Sequence, residues 1–156
     1  MKTSTIEFQV ELEDTDAEGI VFYPRYFSWF DRATKALLKS IGLSHSQLLN
    51  QYHYTQPVTE CGCQFIHTLH YDNPVRITTN IMEVQERYFK LRHVVYSGDL
   101  MVGSGYEIRA WVRIDQPDQD KRFVVVPIPD EIISKLSAFS EKYAVGKYSE
   151  YENIPN

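Results

Sequence analysis

Between residues 24 and 41 the chain carries one long run of helical periodicity, in which Phe27, Phe30, Thr34, Leu37, Leu38 and Ile41 share a stripe at about 100° per residue. The segments around it alternate apolar and polar residues with a period of two. In 5–12, Ile6, Phe8, Val10 and Leu12 fall on one face, and 57–69, 75–86, 89–96 and 102–114 read as further strands separated by Asp-Asn-Pro and Ser-Gly-Asp turns. A short strand at 123–126 and a C-terminal helix at 129–142, with Pro and acids in its first turn, complete the pattern. One long helix among hairpin-linked strands predicts an α+β layer, the helix stripe lying on one face of an antiparallel sheet. Trp29 and Ala36 plot on the side of the helix opposite Phe27 and Phe30. That second apolar strip calls for another partner, and a second subunit would supply one.

A chain of 156 residues is expected to form one domain spanning 1–156, with a core that needs neither disulfides nor metals. With 43% hydrophobic and 24% charged residues it has the composition of a soluble globule, and no run is long and apolar enough for a membrane span. The formal net charge of −5 argues against nucleic-acid binding, which needs an excess of Lys and Arg. The alternating start, MKTSTIEFQVELED, lacks the apolar core of an export signal, so a cytoplasmic location is expected. Cys61 and Cys63 flank Gly62 too closely for an ordinary bridge and read as reduced thiols.

The chemistry concentrates in 14–26, Asp-Thr-Asp-Ala-Glu-Gly-Ile-Val-Phe-Tyr-Pro-Arg-Tyr, which joins the first strand to the long helix. Pro24 suits the first helical position, whereas Tyr23 before it cannot cap the helix through its side chain. Free amides at that helix start, aided by the macrodipole, could polarise a substrate carbonyl and hold an oxyanion. From spacing alone the plainer reading is favoured, in which Asp14, Asp16 and Gly19 do no more than build a tight turn.

This stretch resembles the signature of the 4-hydroxybenzoyl-CoA thioesterase family, an Asp-x-Asp-x-x-Gly-hydrophobic-Val-aromatic segment ahead of the central helix of a hot-dog fold. The likeness continues through Pro24, Tyr26, Trp29, Asp31 and Ala33, and recurs at Pro57, Phe65, Thr68, Tyr71, Asp72, Thr79, Glu83, Phe89, Arg92 and His93. It implies a long central helix against a curved antiparallel sheet, and hydrolysis of an acyl-CoA with water and no cofactor or metal. It also implies a homodimer or homotetramer with active sites at the subunit interface. Asp16 matches the catalytic carboxylate, as nucleophile or as general base, and the Tyr23 backbone amide matches the oxyanion donor. Asp31, at the edge of the stripe, either contacts a polar substituent of the acyl group, as the resemblance implies, or pairs with a nearby cation. Arg87 matches a basic position in the family's CoA-binding turn and Arg122 another basic position near the end of the sheet; either could bind a CoA phosphate or be a solvated surface charge.

The match departs at Gln85 and Glu86, which replace arginines of the aryl-CoA branch, and at Ser46, which stands near an acyl-pocket tryptophan of that branch. Gln56 lies close to a polar pocket position and is given no firm role. Cys61, Cys63 and His67 make an incomplete zinc set, His67, His70 and His93 read as strand residues, and no Gly-x-Ser-x-Gly elbow is present. An aromatic acyl-CoA is the expected substrate. The branch acting on short aliphatic acyl-CoA or acyl carrier protein typically has His where this chain has Tyr23, and a noncatalytic acyl-binding scaffold would have no need of the whole Asp16 segment.

Overall fold

The computed structural model describes residues 2–140. Its elements run β1 (Ser4–Gln9), a 3-10 turn (Leu12–Asp14), α1 (Pro24–Ser40), α2 (His45–Asn50), β2 (Tyr54–Thr55), β3 (Val58–Phe65), β4 (Pro74–Val84), β5 (Tyr88–Ser97), β6 (Leu100–Ala110), β7 (Val112–Asp115), β8 (Arg122–Val125) and α3 (Asp130–Ser137). The main sheet is antiparallel throughout, in the order β1-β4-β5-β6-β3, and β2-β7-β8 form a smaller second sheet. The expected α+β layer is present, with α1 laid against β1, β4 and β5.

Local detail differs from the periodicity in several places, among them the strand expected at 57–69, which ends at Phe65. β1 stops at Gln9, because the Val10 amide and carbonyl bond Asn73 and Asp72, and Leu12 turns outward to 70% exposure. The expected strand at 102–114 breaks at Trp111: its N–H donates to the Arg87 carbonyl and its carbonyl accepts from Val126, so the ladder changes sheets while the indole fills the core. The α2 helix has only six residues and a single buried one, Leu48, so no apolar period marks it; its signal is the Ser44 cap, which accepts from the Gln47 amide at 3.2 Å. The C-terminal helix ends at Ser137, and residues 141 and 142 of the expected span lie outside the described residues.

The apolar face of α1 is wider than the stripe, and this overturns the reading of Trp29. Tyr26, Trp29, Phe30, Ala33, Leu37 and Leu38 are all buried within one chain. Trp29 sits at 5.1 Å from both the Phe8 ring of β1 and the Tyr26 ring, so the edge strand of its own sheet covers it and no second subunit is needed for it. The helix can lie this close because β6 has Gly105 beneath it. A Cβ there would stand 2.4 Å from a Phe30 ring carbon, and Phe30 occupies that space, stacked on His93 at 4.6 Å. Two apolar clusters result, one under the first half of α1 and one under its second half. A buried polar layer of Thr34, Thr79, His93 and Glu107 lies on the same face of the sheet.

Candidate active site

The 14–26 segment folds as a small hairpin whose second arm runs into α1. Asp14 is the clasp at its base: its carboxylate accepts from the Glu11 amide at 2.9 Å, its carbonyl accepts from Phe22, and Arg25 stands 3.8 Å from its other oxygen while donating to the Glu13 carbonyl. Asp14 is buried, which fits a structural role. The Asp16 amide donates to Ile20, and Gly19 closes the turn back onto the Asp16 carbonyl at φ +78, a left-handed conformation that a side chain would strain. One Asp16 oxygen accepts from the Glu18 amide at 2.9 Å. The loop is held from outside by the Val21 amide on the Leu69 carbonyl and by His70 Nδ1 at 3.1 Å from the Gly19 carbonyl. These bonds present the half-buried Asp16 carboxylate at the hairpin tip.

Along the second arm the chain enters α1 without a side-chain cap at Tyr23, and Pro24 contributes no N–H. The amides of Arg25 and Tyr26 bond back to Phe22 and Tyr23, while among the described residues the Tyr23 amide has no acceptor. This leaves one backbone donor, at the positive end of a 17-residue helix, for an incoming group. Around it the exposed rings of Phe22, Tyr23 and Phe65 meet edge to face at 5.4 and 6.2 Å, and Tyr26 packs on Phe65 from below. Burial, with the Cys63 thiol beside it, pushes the Tyr26 hydroxyl up to about 12.

A second polar cluster lies farther along the same helix. Arg109 of β6 is 5% exposed and uses all three of its nitrogens: Nε and Nη2 donate to the two oxygens of Glu107 at 3.0 and 2.9 Å, Nη1 to the Gln56 carbonyl at 3.0 Å, and Nη2 also to Asp31 Oδ1 at 2.9 Å. Glu107, 2% exposed, further accepts from the Thr34 hydroxyl at 2.6 Å and lies 3.4 Å from His93 Nε2, whose other nitrogen is 2.8 Å from the Thr79 hydroxyl. Burial works to raise the Glu107 carboxyl, but His93 and Arg109 outweigh it and hold it down at about 2. The cluster escapes a sequence reading because Glu and Arg two apart in a strand look like a solvent face. The one available signal was the partly desolvated Asp31, which required a cation from somewhere.

The expected site residues therefore separate into groups. Asp16 and Tyr23 share the hairpin, and Asp31 sits two helical turns on, with Arg109 on one oxygen and Lys35, at 2.7 Å, on the other. Burial pushes the Asp31 carboxyl up, and the bonds from Lys35 and Arg109 more than offset it, so its pKa lies below the ordinary carboxylate value. Arg87 is exposed in the β4–β5 turn, 3.7 Å from Glu86 and 3.4 Å from the Val125 carbonyl of β8, and Arg122 is exposed at the start of the same strand. Ser46 lies on the outside of α2, accepting from Asn50. Gln56 is buried beside Arg109, with no partner for its Nε2 among the described residues. Cys61 and Cys63 are free thiols, and burial pushes the Cys63 thiol up to about 12. His67 falls beyond the end of β3, not on its face, and His70 belongs to the loop that staples the hairpin.

Residues 10–136 match the family model of the thioesterase-like superfamily. The chain belongs to the thioesterase-like superfamily. Within this superfamily it is 27% identical over 143 residues to the 4-hydroxybenzoyl-CoA thioesterase of Pseudomonas sp. (strain CBS-3), a match covering 87% of this chain and 99% of the relative. Among solved structures it superposes on a gentisyl-coenzyme A thioesterase with a TM-score of 0.74 and 32% identity, covering 85% of this chain and 98% of the other. It also superposes on a 4-hydroxybenzoyl CoA thioesterase carrying an Asp-to-Asn mutation and complexed with 4-hydroxybenzoyl CoA, with a TM-score of 0.77 and 27% identity, covering 88% of this chain and all of the other. The α+β arrangement is thus the hot-dog fold of these thioesterases. Among the described residues no helix is long and apolar enough to cross a membrane.

Proposed function

We propose that this acyl-CoA thioesterase acts on an aromatic, hydroxybenzoyl-type acyl-CoA, releasing the free acid and CoA with Asp16 as its catalytic carboxylate. The observation that carries the reading is the uncapped start of α1, where an amide without an acceptor shares one small hairpin with a presented carboxylate. Either Asp16 attacks the thioester carbon, expelling CoA as its thiolate and leaving an acyl-enzyme anhydride that water cleaves, or it takes the proton from an attacking water. In both routes the carbonyl oxygen gains negative charge on the way to the tetrahedral intermediate, and the Tyr23 N–H donates to it there more strongly than to the ground-state carbonyl.

The aromatic part of the reading rests on the shelf of Phe22, Tyr23 and Phe65, which offers ring faces and edges to a flat acyl group. Asp31 lies eight residues beyond Tyr23, about 12 Å along the helix and about 80° around it, a separation that a benzoyl ring with a hydrogen bond at each end spans. We assign it to a ring hydroxyl, and Arg87 and Arg122 to the CoA phosphates. Two of the similar proteins act on hydroxylated aromatic acyl-CoA, 4-hydroxybenzoyl and gentisyl, which favours the same class here. Thiol release from benzoyl, 4-hydroxybenzoyl, dihydroxybenzoyl, phenylacetyl, acetyl and hexanoyl thioesters tests it. A hydroxybenzoyl thioester is expected to have the highest kcat/KM. A preference for acetyl or hexanoyl over every aryl substrate would overturn the aromatic assignment and leave thioester hydrolysis standing.

A further inference from the structure

We infer that Arg109, locked from behind by Glu107, is a positioning residue for substrate selection: it fixes the Asp31 carboxylate in the one orientation in which it accepts the hydroxyl of an aromatic acyl group. The inference rests on the assignment of Asp31 to that hydroxyl and adds the group that makes the carboxylate selective. Glu107 and Arg109 already form a neutral buried pair, joined by two bonds and closed by Thr34 and the Gln56 carbonyl. Burial therefore does not require a third acid. Arg109 nevertheless sends Nη2 outward to Asp31, whose side chain is 41% exposed and stands at the boundary between the interior and solvent.

The consequence is a half-exposed carboxylate with a fixed rotamer. Its Oδ1 is held by a guanidinium that cannot turn, because its other nitrogens are engaged on Glu107 and on backbone; its Oδ2 is held by the exposed Lys35. A carboxylate offers about four acceptor positions, so two bonds leave room for a substrate hydroxyl. Preorganisation matters here because a carboxylate that had to be frozen on binding would lose part of the gain from that hydrogen bond. The same two cations keep Asp31 below the ordinary carboxylate range and hence ionised, an acceptor and not a donor. On this reading the buried pair on β6 reaches across to α1, through Thr34 and Asp31, in order to aim a group at the surface.

The test is a cycle of Asp31→Asn, Arg109→Lys and the double variant, reading the ratio of kcat/KM for 4-hydroxybenzoyl-CoA over benzoyl-CoA. A charge-assisted hydrogen bond realised in the transition state corresponds to a preference of about tenfold in the wild type. Asp31→Asn is expected to bring the ratio towards one, Arg109→Lys to do the same because a lysine lacks the fork that holds Glu107 and Asp31 together, and the double variant to fall no further than Asp31→Asn alone. If Arg109→Lys does not fold by circular dichroism, Glu107→Gln with Arg109→Gln removes both buried charges at once and is expected to give the same collapse of the ratio. An Arg109 variant that keeps the wild-type ratio, or lowers both substrates equally, would show a merely structural pair and overturn the inference. A wild type that hydrolyses aryl thioesters without preferring the hydroxylated one, or an Asp31→Asn variant that retains the preference, would instead remove the Asp31 assignment, and the inference with it.

Discussion

The bonds that shape the turn around Asp16 come almost entirely from the main chain: its amide to Ile20, its carbonyl from Gly19, and the flanking Val21 amide to Leu69. The side chain contributes one accepted hydrogen bond, from the Glu18 amide, and an asparagine carboxamide oxygen can accept that bond equally well. Asp16→Asn should therefore leave the loop and the fold in place while removing the carboxylate oxygen proposed to act as nucleophile or base. The expected outcome is a loss of about 10²- to 10⁴-fold in turnover with an unchanged circular dichroism spectrum, checked by steady-state thiol release. A folded variant with near-wild-type activity would exclude Asp16 as the catalytic carboxylate. Asp14, two residues earlier, differs in kind: it is buried and ties the strand exit to the helix start, so changes there act on the fold first.

At the scale of elements, the contact that sets the height of α1 above the sheet is Phe30 over Gly105 and His93. Helix and sheet meet there without slack, since a Cβ at 105 would also lie 2.6 Å from the Gly62 carbonyl of the neighbouring strand. Neither a ring wedged against His93 nor a backbone carbonyl in the ladder can move away freely. Gly105→Ala should lower stability by about 1–3 kcal/mol, the usual cost of overpacking a filled interior, and urea unfolding monitored by fluorescence measures it. An unchanged midpoint would mean that α1 shifts without cost, and the clamp between Asp31 and Arg109 would then be looser than its distances imply.

For the whole molecule, the main sheet ends in two edges. The β1 edge is six residues long, with Trp29 of α1 packed on its Phe8, whereas β3 is eight residues long, largely exposed and, among the described residues, unpaired on its outer side. Beside it stand the exposed Phe22, Tyr23, Phe65 and Ile66. A long bare edge next to an apolar shelf is the kind of surface that association covers. The protein is accordingly proposed to work as a homodimer or homotetramer joined along β3, with the Tyr23 region at the interface. Sedimentation at micromolar concentration should return at least twice the 18.3 kDa of one chain; a fully active monomer would exclude a shared site. Trp29 no longer motivates this proposal, since its own β1 covers it.

The sequence by itself determined what local chemistry encodes. The period of 100° placed α1 within a residue of its observed ends, the period of two placed the long strands, and the Asp-Gly turn before an uncapped Pro-initiated helix marked where a carbonyl could be polarised. Those features depend on neighbours a few positions away, which a linear reading contains. What the tertiary structure decided depends on register between distant strands. It decided that Trp29 faces β1, that the ladder changes sheets at Trp111, and that the cation required by Asp31 is Arg109, 78 residues downstream. The same cause hid Glu107: whether an acid in a strand faces water or a helix is fixed by which residue its neighbour pairs with, and that pairing is written in no single segment of the chain.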